Sequence, residues 1–411
     1  MIMRKTIQYL TLFLLLMTDP VPAGAQKFGN MAPAPPMGWN SWNRFGCDVN
    51  EKMLKETADM LVETGMRDAG YTYLVIDDCW HGERDSLGFI QEHPDLFPAG
   101  MKDLADYIHA RGLKFGIYSS AGFKTCAGRP ASRGHEYQDA LAYASWDVDY
   151  LKYDWCGTEG LNAFGAYLTM RDALYKAGRP VVFSLCEWGN NQPWLWGAQM
   201  GHLWRTTGDI CAIFDGFEDH GTYKNLGVLQ ILDLQDTLRA YAGPDGWNDP
   251  DMLQVGNGMT VAEDRAHFTM WCMLSAPLMA GNDLRSMSPQ TIEILMNREA
   301  IAIDQDPLGI QGFPFKKEGD LHTWLKPLSE GKWAVCFLNR GTQDVSLSID
   351  WKHFTVEDEL SGQQLDTQKK AYTVRDIWAK KDLGTTGSTG LTTLLPGHDV
   401  FCVVLTPAKV L

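Results

Sequence analysis

From about Pro36 to about Pro307 the chain alternates short strand-like apolar runs with amphipathic, helix-like stretches. The strand-like runs are Met37–Trp42, Tyr73–Asp77, Lys114–Ser119, Tyr150–Tyr153, Val181–Cys186, Leu203–Thr206, Gly246–Asp249 and Pro277–Ala280. Between them lie helical patterns such as Glu51–Thr64, Met101–Arg111, Leu161–Ala177 and Ala262–Leu274. Asn50 is placed to N-cap the first of these. Gly112 and Gly178 follow others, where a left-handed C-cap residue belongs. Eight strand–helix units close most naturally as a (β/α)8 TIM barrel. A doubly wound open sheet is the alternative, but no glycine-rich dinucleotide turn follows the first strand and no glycine cluster has the P-loop form.

After about Gly312 the pattern changes. Leu321–Leu325, Trp333–Leu338, Val345–Ile349, Phe354–Asp358 and His398–Leu405 are alternating or β-rich, with turn residues between them and no helix of any length. The expected organisation is therefore an α/β barrel over residues 26–307 and a C-terminal antiparallel β-sandwich over 312–411, packed on the barrel. Residues 1–25 read as a secretion signal peptide: Arg4 and Lys5 precede the apolar run Tyr9 to Met17, and Ala23-Gly24-Ala25 fits a cleavage site. That run is too short to span a membrane, so no span is expected once the leader is removed.

A net charge of −15 argues against a nucleic-acid partner, which needs clustered Lys and Arg. It favours a neutral substrate. The fifteen tryptophans supply aromatic faces of the kind that cover sugar rings, although most are expected in the core. An exported chain can form disulfides. Of nine cysteines, Cys47 with Cys79 and Cys126 with Cys156 lie at the ends of expected strands, where loops meet. No Asn-x-Ser/Thr sequon occurs, which fits a bacterial secreted or periplasmic protein.

In such barrels the active site lies at the C-terminal ends of the strands. Here those ends carry acids: Asp77 and Asp78, Asp154, Glu187, Asp209, and Asp249 with Asp251. Carboxylates converging with Trp and Tyr point to glycoside hydrolysis, in which one acid attacks or activates the anomeric carbon and the other protonates the leaving oxygen. Asp154 suits the nucleophile, with Lys152 expected to hold it ionised. Asp209 suits the acid/base, with Arg205 four residues away. No His or Cys spacing of a metal site is present, and a hard-cation site at Asp249 and Asp251 is the weaker alternative. Asp77 and Asp78 would point to opposite faces if the strand ran through them. His81, His93 and His135 read as loop residues. A Cys126–Cys156 bridge would pin the end of the fourth strand.

Seven motifs resemble, in order, the retaining α-galactosidases of glycoside hydrolase family 27. They are Met37-Gly38-Trp39-Asn40-Ser41-Trp42, Ile76-Asp77-Asp78-Cys79-Trp80, Gly116-Ile117-Tyr118, Lys124-Thr125-Cys126-Ala127-Gly128, Leu151-Lys152-Tyr153-Asp154, Cys186-Glu187-Trp188 and Gly246-Trp247-Asn248-Asp249-Pro250-Asp251-Met252-Leu253. The resemblance runs from about Ala34 to the C-terminus. It implies a barrel with a C-terminal sandwich and no cofactor; from the residue spacing no metal is expected either. It implies Asp154 as nucleophile and Asp209 as acid/base. It implies sugar binding by Trp42, Asp77, Asp78, Tyr118, Cys126, Lys152, Cys186, Glu187, Trp188, Arg205 and Met252. Asp77 and Asp78 would select an axial O4, and Glu187 would leave no room for an N-acetyl group. The loop Gly189–Gln192 and the run Thr206–Gly208 are similar to the plant and bacterial branch. The expected function is a secreted exo-acting α-galactosidase on an oligosaccharide or polysaccharide. The alternatives are α-N-acetylgalactosaminidase, β-L-arabinopyranosidase, or a non-catalytic sugar-binding barrel.

Overall fold

The computed structural model describes residues 27–387 and 390–408. The expected leader, residues 1–25, lies outside them. All eight expected barrel strands form: β1 Met37–Asn40, β2 Tyr73–Val75, β3 Lys114–Ser120, β4 Tyr150–Asp154, β5 Val182–Cys186, β6 Leu203–Arg205, β7 Trp247–Asp249 and β8 Leu278–Ala280. They make one parallel sheet in the order β7-β6-β5-β4-β3-β2-β1-β8. β8 returns to β1, with Met37 opposite Leu278. The seam between β7 and β8 is closed by Leu253, which bridges Ala280 and donates its N–H to the Met279 carbonyl at 2.8 Å.

Side chains on a strand alternate in direction, and the packing follows that alternation. Tyr73, Val75, Tyr150, Val182, Leu203, Trp247 and Met279 point inward and fill the barrel. Leu74, Ile117, Leu151, Phe183, Leu185 and Trp204 point outward and pack with the helices. The helices begin where local chemistry stops the strand. Asn50 accepts the Met53 N–H at 2.9 Å to cap Glu51–Glu63, and Asn162 accepts the Gly165 N–H at 2.9 Å to cap Ala163–Ala177. Gly112 and Gly178 take the expected left-handed conformation, at φ 69° and 81°. Disulfides join Cys47 to Cys79 and Cys126 to Cys156, as expected, and tie neighbouring βα loops together. The other five cysteines are buried free thiols.

Two expectations near β2 change. The strand stops at Val75 and Cys79 takes φ 77°, so Asp77 and Asp78 do not sit on opposite faces of a continuing strand. His81 is not a loop residue. It opens a hairpin, His81–Arg84 with Ile90–Glu92, and is buried against Trp80 with ring centroids 4.0 Å apart. Burial pushes its imidazole down to about 3, so it is neutral.

Beyond the barrel, a six-stranded antiparallel sheet runs in the order Phe313–Glu318, Leu321–Pro327, Trp333–Asn339, Val400–Pro407, Tyr372–Asp376, Lys381–Thr385. Two hairpins, Val345–Ile349 with Leu391–Leu395 and Thr355–Glu357 with Gln364–Asp366, complete the domain. Val335 and Phe337 face a core with Leu347, Ile349 and Trp351, while Ala334, Cys336 and Leu338 face the barrel. Between barrel and sheet lies the helix Val261–Leu274, started by a Thr260/Glu263 capping box. It is buried from Ala266 through Leu274, not amphipathic as expected, because it has protein on both sides. Lys326 crosses the junction, donating to the Cys272 carbonyl at 2.8 Å and to Ser275 Oγ at 2.7 Å. Among the described residues no helix is long and apolar enough to cross a membrane.

Gly116 occupies an inward position of β3 opposite Val75 and Tyr150. A Cβ there would lie 2.7 Å from Val75 Cγ2 and 3.0 Å from Tyr150 Cβ. Gly116→Ala should destabilise the protein by about 1–3 kcal/mol, as overpacking does. Urea unfolding checks this, and an unchanged midpoint would show that the interior has slack.

Candidate active site

The inward alternation continues past the apolar filling to the C-terminal ends of the strands, where it turns polar. Asp77 lies two residues beyond Val75, Tyr118 two beyond Gly116, Lys152 and Asp154 two and four beyond Tyr150, and Arg205 two beyond Leu203. These side chains meet in one pocket, which Trp42, Asn43, Asp78, Cys126, Trp188, Asp209, Asp251 and Met252 also line.

Asp154 is held at both oxygens. Its Oδ1 accepts the Trp155 N–H at 2.8 Å, and its Oδ2 accepts the Tyr118 hydroxyl at 2.9 Å. Cys126 Sγ lies 3.4 Å from Oδ2, but a disulfide sulfur has no proton to give. Cys126, Cys156 and Asp154 bring ligand atoms within 4.8 Å of one another. With both sulfurs in the bridge, that cluster offers no thiolate to a metal. Lys152 does not pair with Asp154 as expected. It donates to Asp77 Oδ2 at 2.7 Å, where Asn40 Nδ2 also donates at 2.8 Å. Burial dominates Asp154 and pushes its carboxyl up to about 7; Lys152 pulls it down and Asp209 pushes it up again.

The two candidate catalytic carboxylates differ in setting. Asp154 is 5 % exposed, whereas the Asp209 side chain is 41 % exposed. Arg205 reaches both Asp209 Oδ1 at 3.0 Å and Asp251 Oδ2 at 2.8 Å. Asp251 Oδ2 also accepts the Ile210 N–H at 2.9 Å, and its Oδ1 accepts the Met252 N–H at 2.7 Å. Asp251 therefore fixes the segment that carries Asp209. Its charge is met by the guanidinium, which removes the basis for a hard-cation site with Asp249. Asp78 accepts the Cys79 and Ala127 N–H groups at 2.7 and 2.9 Å, which aims it from a tight turn into the pocket.

Two residues expected on the sugar, Cys186 and Glu187, do not line the pocket. Cys186 is buried, with Sγ 3.6 Å from an Arg205 nitrogen. Glu187 has the opposite alternation to Cys186 and is fully buried. Its Oε2 accepts the Asn191 N–H and Nδ2, each at 2.6 Å, and burial pushes its carboxyl up to about 7. Through these bonds it holds the strand-five loop. Asn43 and Asp251 line the pocket and were not among the expected contacts. Asp251 sits in the acidic end of β7, a visible signal. Asn43 directly follows Trp42, and its buried Nδ2 has no protein partner among the described residues.

The sequence and the fold are similar to those of known proteins. The alpha galactosidase A family profile matches residues 34–306, and the alpha galactosidase C-terminal beta sandwich domain matches 318–405. "Alpha-galactosidase A" of Cellvibrio japonicus is 56 % identical over 389 residues, covering 94 % of this chain and 95 % of that protein. The crystal structure of alpha-galactosidase I from Mortierella vinacea superposes with TM-score 0.84 at 36 % identity, covering 91 % of this chain and 97 % of that one. An alpha-galactosidase from Saccharomyces cerevisiae, solved with raffinose, gives TM-score 0.84 at 30 % identity, covering 93 % and 100 %. With its barrel and sandwich both matched nearly end to end, the chain belongs to the alpha-galactosidase family of glycoside hydrolase family 27.

Proposed function

We propose that this protein is an exo-acting retaining α-galactosidase in which Asp154 is the nucleophile and Asp209 the acid/base. The observation that carries it is the unlike pair of carboxylates in one pocket, Asp154 buried and anchored at both oxygens and Asp209 open to solvent. A nucleophile must be fixed in line with C1, and Asp154 is fixed. An acid/base must exchange protons with a leaving group and then with water, and Asp209 is reachable by both. Five carboxylates against Lys152 and Arg205 give the pocket an excess of negative charge, which suits a neutral, hydroxyl-rich ligand and repels an anionic one. The alpha-galactosidase names of its relatives support the galactosyl substrate, and the raffinose complex of the yeast protein supports an α-galactosyl oligosaccharide.

In the first step the Asp154 carboxylate attacks C1, the glycosidic C–O bond breaks, and the Asp209 proton goes to the leaving oxygen. In the second, Asp209 takes a proton from water, whose oxygen attacks C1 and releases galactose from Asp154. Two inversions retain the α configuration. Asp77 and Asp78 bind the O4 and O6 side, Lys152 and Arg205 bind hydroxyls and balance charge, and Trp42, Tyr118, Trp188 and Met252 wall the ring. Cys126 holds its loop against the site, and Cys186 and Glu187 support it from behind. Two disulfides between active-site loops fit an oxidising compartment and support export from the cell.

Asp154→Ala should lower kcat on an aryl α-galactoside by roughly three orders of magnitude or more, by analogy with other catalytic-group deletions. Added azide should restore turnover with β-galactosyl azide as product. Near-normal activity without azide would refute the assignment. A second expectation concerns pH. The folded protein holds a proton on Asp154 up to about pH 7, well above the ordinary carboxylate value near 3.8. Its contribution to stability is fully present below that ordinary value and is lost as pH rises through about 7. Asp154→Asn cannot ionise, so its gain in unfolding temperature over wild type should be larger at pH 8 than at pH 5. The wild-type kcat/KM should fall below about pH 7. An equal gain at both pH values would show that Asp154 is not held in an ion-hostile site.

A further inference from the structure

Beside the pocket, on the same face of the barrel, runs a groove enclosing about 280 Å³. It is formed by two adjacent βα loops. Asn162 and Phe164 come from the start of the helix after β4, and Asn190, Asn191, Gln192 and Trp196 come from the loop after β5. None of its lining residues is titratable. Phe164 is 40 % exposed, and its ring stands edge-on to Trp196 with centroids 6.1 Å apart. Trp196 is oriented by its indole N–H, which donates to the Asn191 carbonyl at 3.0 Å, and by Tyr167 behind it at 5.7 Å. Asn190 and Gln192 are exposed, with amides that can both donate and accept.

The groove and the pocket share one wall. Trp188 faces the pocket, and Asn190, two residues on and so at most about 7 Å away along the chain, faces the groove. That wall is rigid. Trp188, Gly189 and Gln192 all have positive φ, at 57°, 78° and 52°. The buried Glu187 carboxylate clamps the turn through Asn191. Non-glycine residues held in the left-handed region are a cost that persists where the surroundings fix them, and such strain gathers at ligand sites.

We propose that this groove is a binding subsite for the neutral saccharide that carries the galactosyl group, engaged as the chain leaves the pocket past Trp188. The proposal rests on the α-galactosidase reading. An uncharged groove with a supported aromatic face and the two exposed amides of Asn190 and Gln192 matches a sugar ring, which presents a C–H face and a rim of hydroxyls. Continuity with the pocket selects the substrate's own remaining saccharide over an unrelated ligand. Binding at a remote part of the substrate is energy available to the reaction at C1, and it is absent for a substrate whose leaving group is too short to reach.

The test compares two substrates on the full-length protein: a small aryl α-galactoside, and an α-galactosyl group borne on a manno-oligosaccharide. Phe164→Ala and Asn190→Ala should each lower kcat/KM on the long substrate by about three- to ten-fold, the scale of one aromatic or polar contact. The aryl substrate should be hydrolysed within about two-fold of wild type. Phe164→Tyr should restore the long substrate. Equal rates of wild type and variants on the long substrate would overturn the subsite. So would an equal loss on both substrates, which would mark these residues as supports of the strand-five loop. If wild type cleaves neither substrate, the α-galactosidase reading fails instead.

Discussion

A side chain on a barrel strand has two directions, and here one of them ends in the pocket. The inward positions at the bottom of β2, β4, β5, β6 and β7 are large and apolar, and there Tyr73, Tyr150, Val182, Leu203 and Trp247 exclude water, while β3 contributes Gly116 to make room for them. The same positions one and two pleats higher carry Asp77, Tyr118, Lys152, Asp154 and Arg205. A dry floor beneath charged groups has a direct electrostatic effect. It removes the water that would stabilise a carboxylate, so Asp154 is driven upward although a lysine lies in the same pocket. The barrel therefore supplies both the aim of Asp154, the proposed nucleophile, and its reluctance to ionise when no sugar is bound.

Charge in the pocket is shared through a few fixed contacts. Lys152 is committed to Asp77 and Arg205 to Asp209 and Asp251. Lys152 thus joins the end of β4 to that of β2, which are not neighbours in the sheet, and Arg205 adds a side-chain tie between the neighbouring ends of β6 and β7. Buried ion pairs of this kind are a weak source of net stability but a costly thing to break, since the partner is left charged and unpaired. Their effect here is geometric. Asp251 and Arg205 set the position of Asp209, a residue on a segment beyond β6 that has no strand of its own.

Much of this was legible in the sequence. The eight barrel strands were, because each is a short apolar run bounded by turn residues, and so were the two disulfides at the ends of those strands. The carboxylates were visible as strand ends. What was not legible depended on how a strand stops. Asp77 and Asp78 share the pocket because the chain leaves the strand after Val75 and turns at Cys79. The place of Glu187 in Cys186-Glu187-Trp188 gives no sign that its carboxyl is turned onto Asn191 in the following loop. The pairing of Lys152 with Asp77 crosses 75 residues of sequence and has no local signal. The helix Val261–Leu274 is buried from Ala266 onward only because a second domain covers it.

The central claim is that Asp154 becomes covalently attached to the sugar. It is tested most directly by quenching the enzyme with an activated, fluorinated α-galactoside whose second step is slow, then digesting and mapping the mass of every peptide. The account predicts one added fluorogalactosyl group, on the peptide that contains Asp154. A label on the Asp209 peptide, or turnover with inverted galactose and no label anywhere, would contradict it.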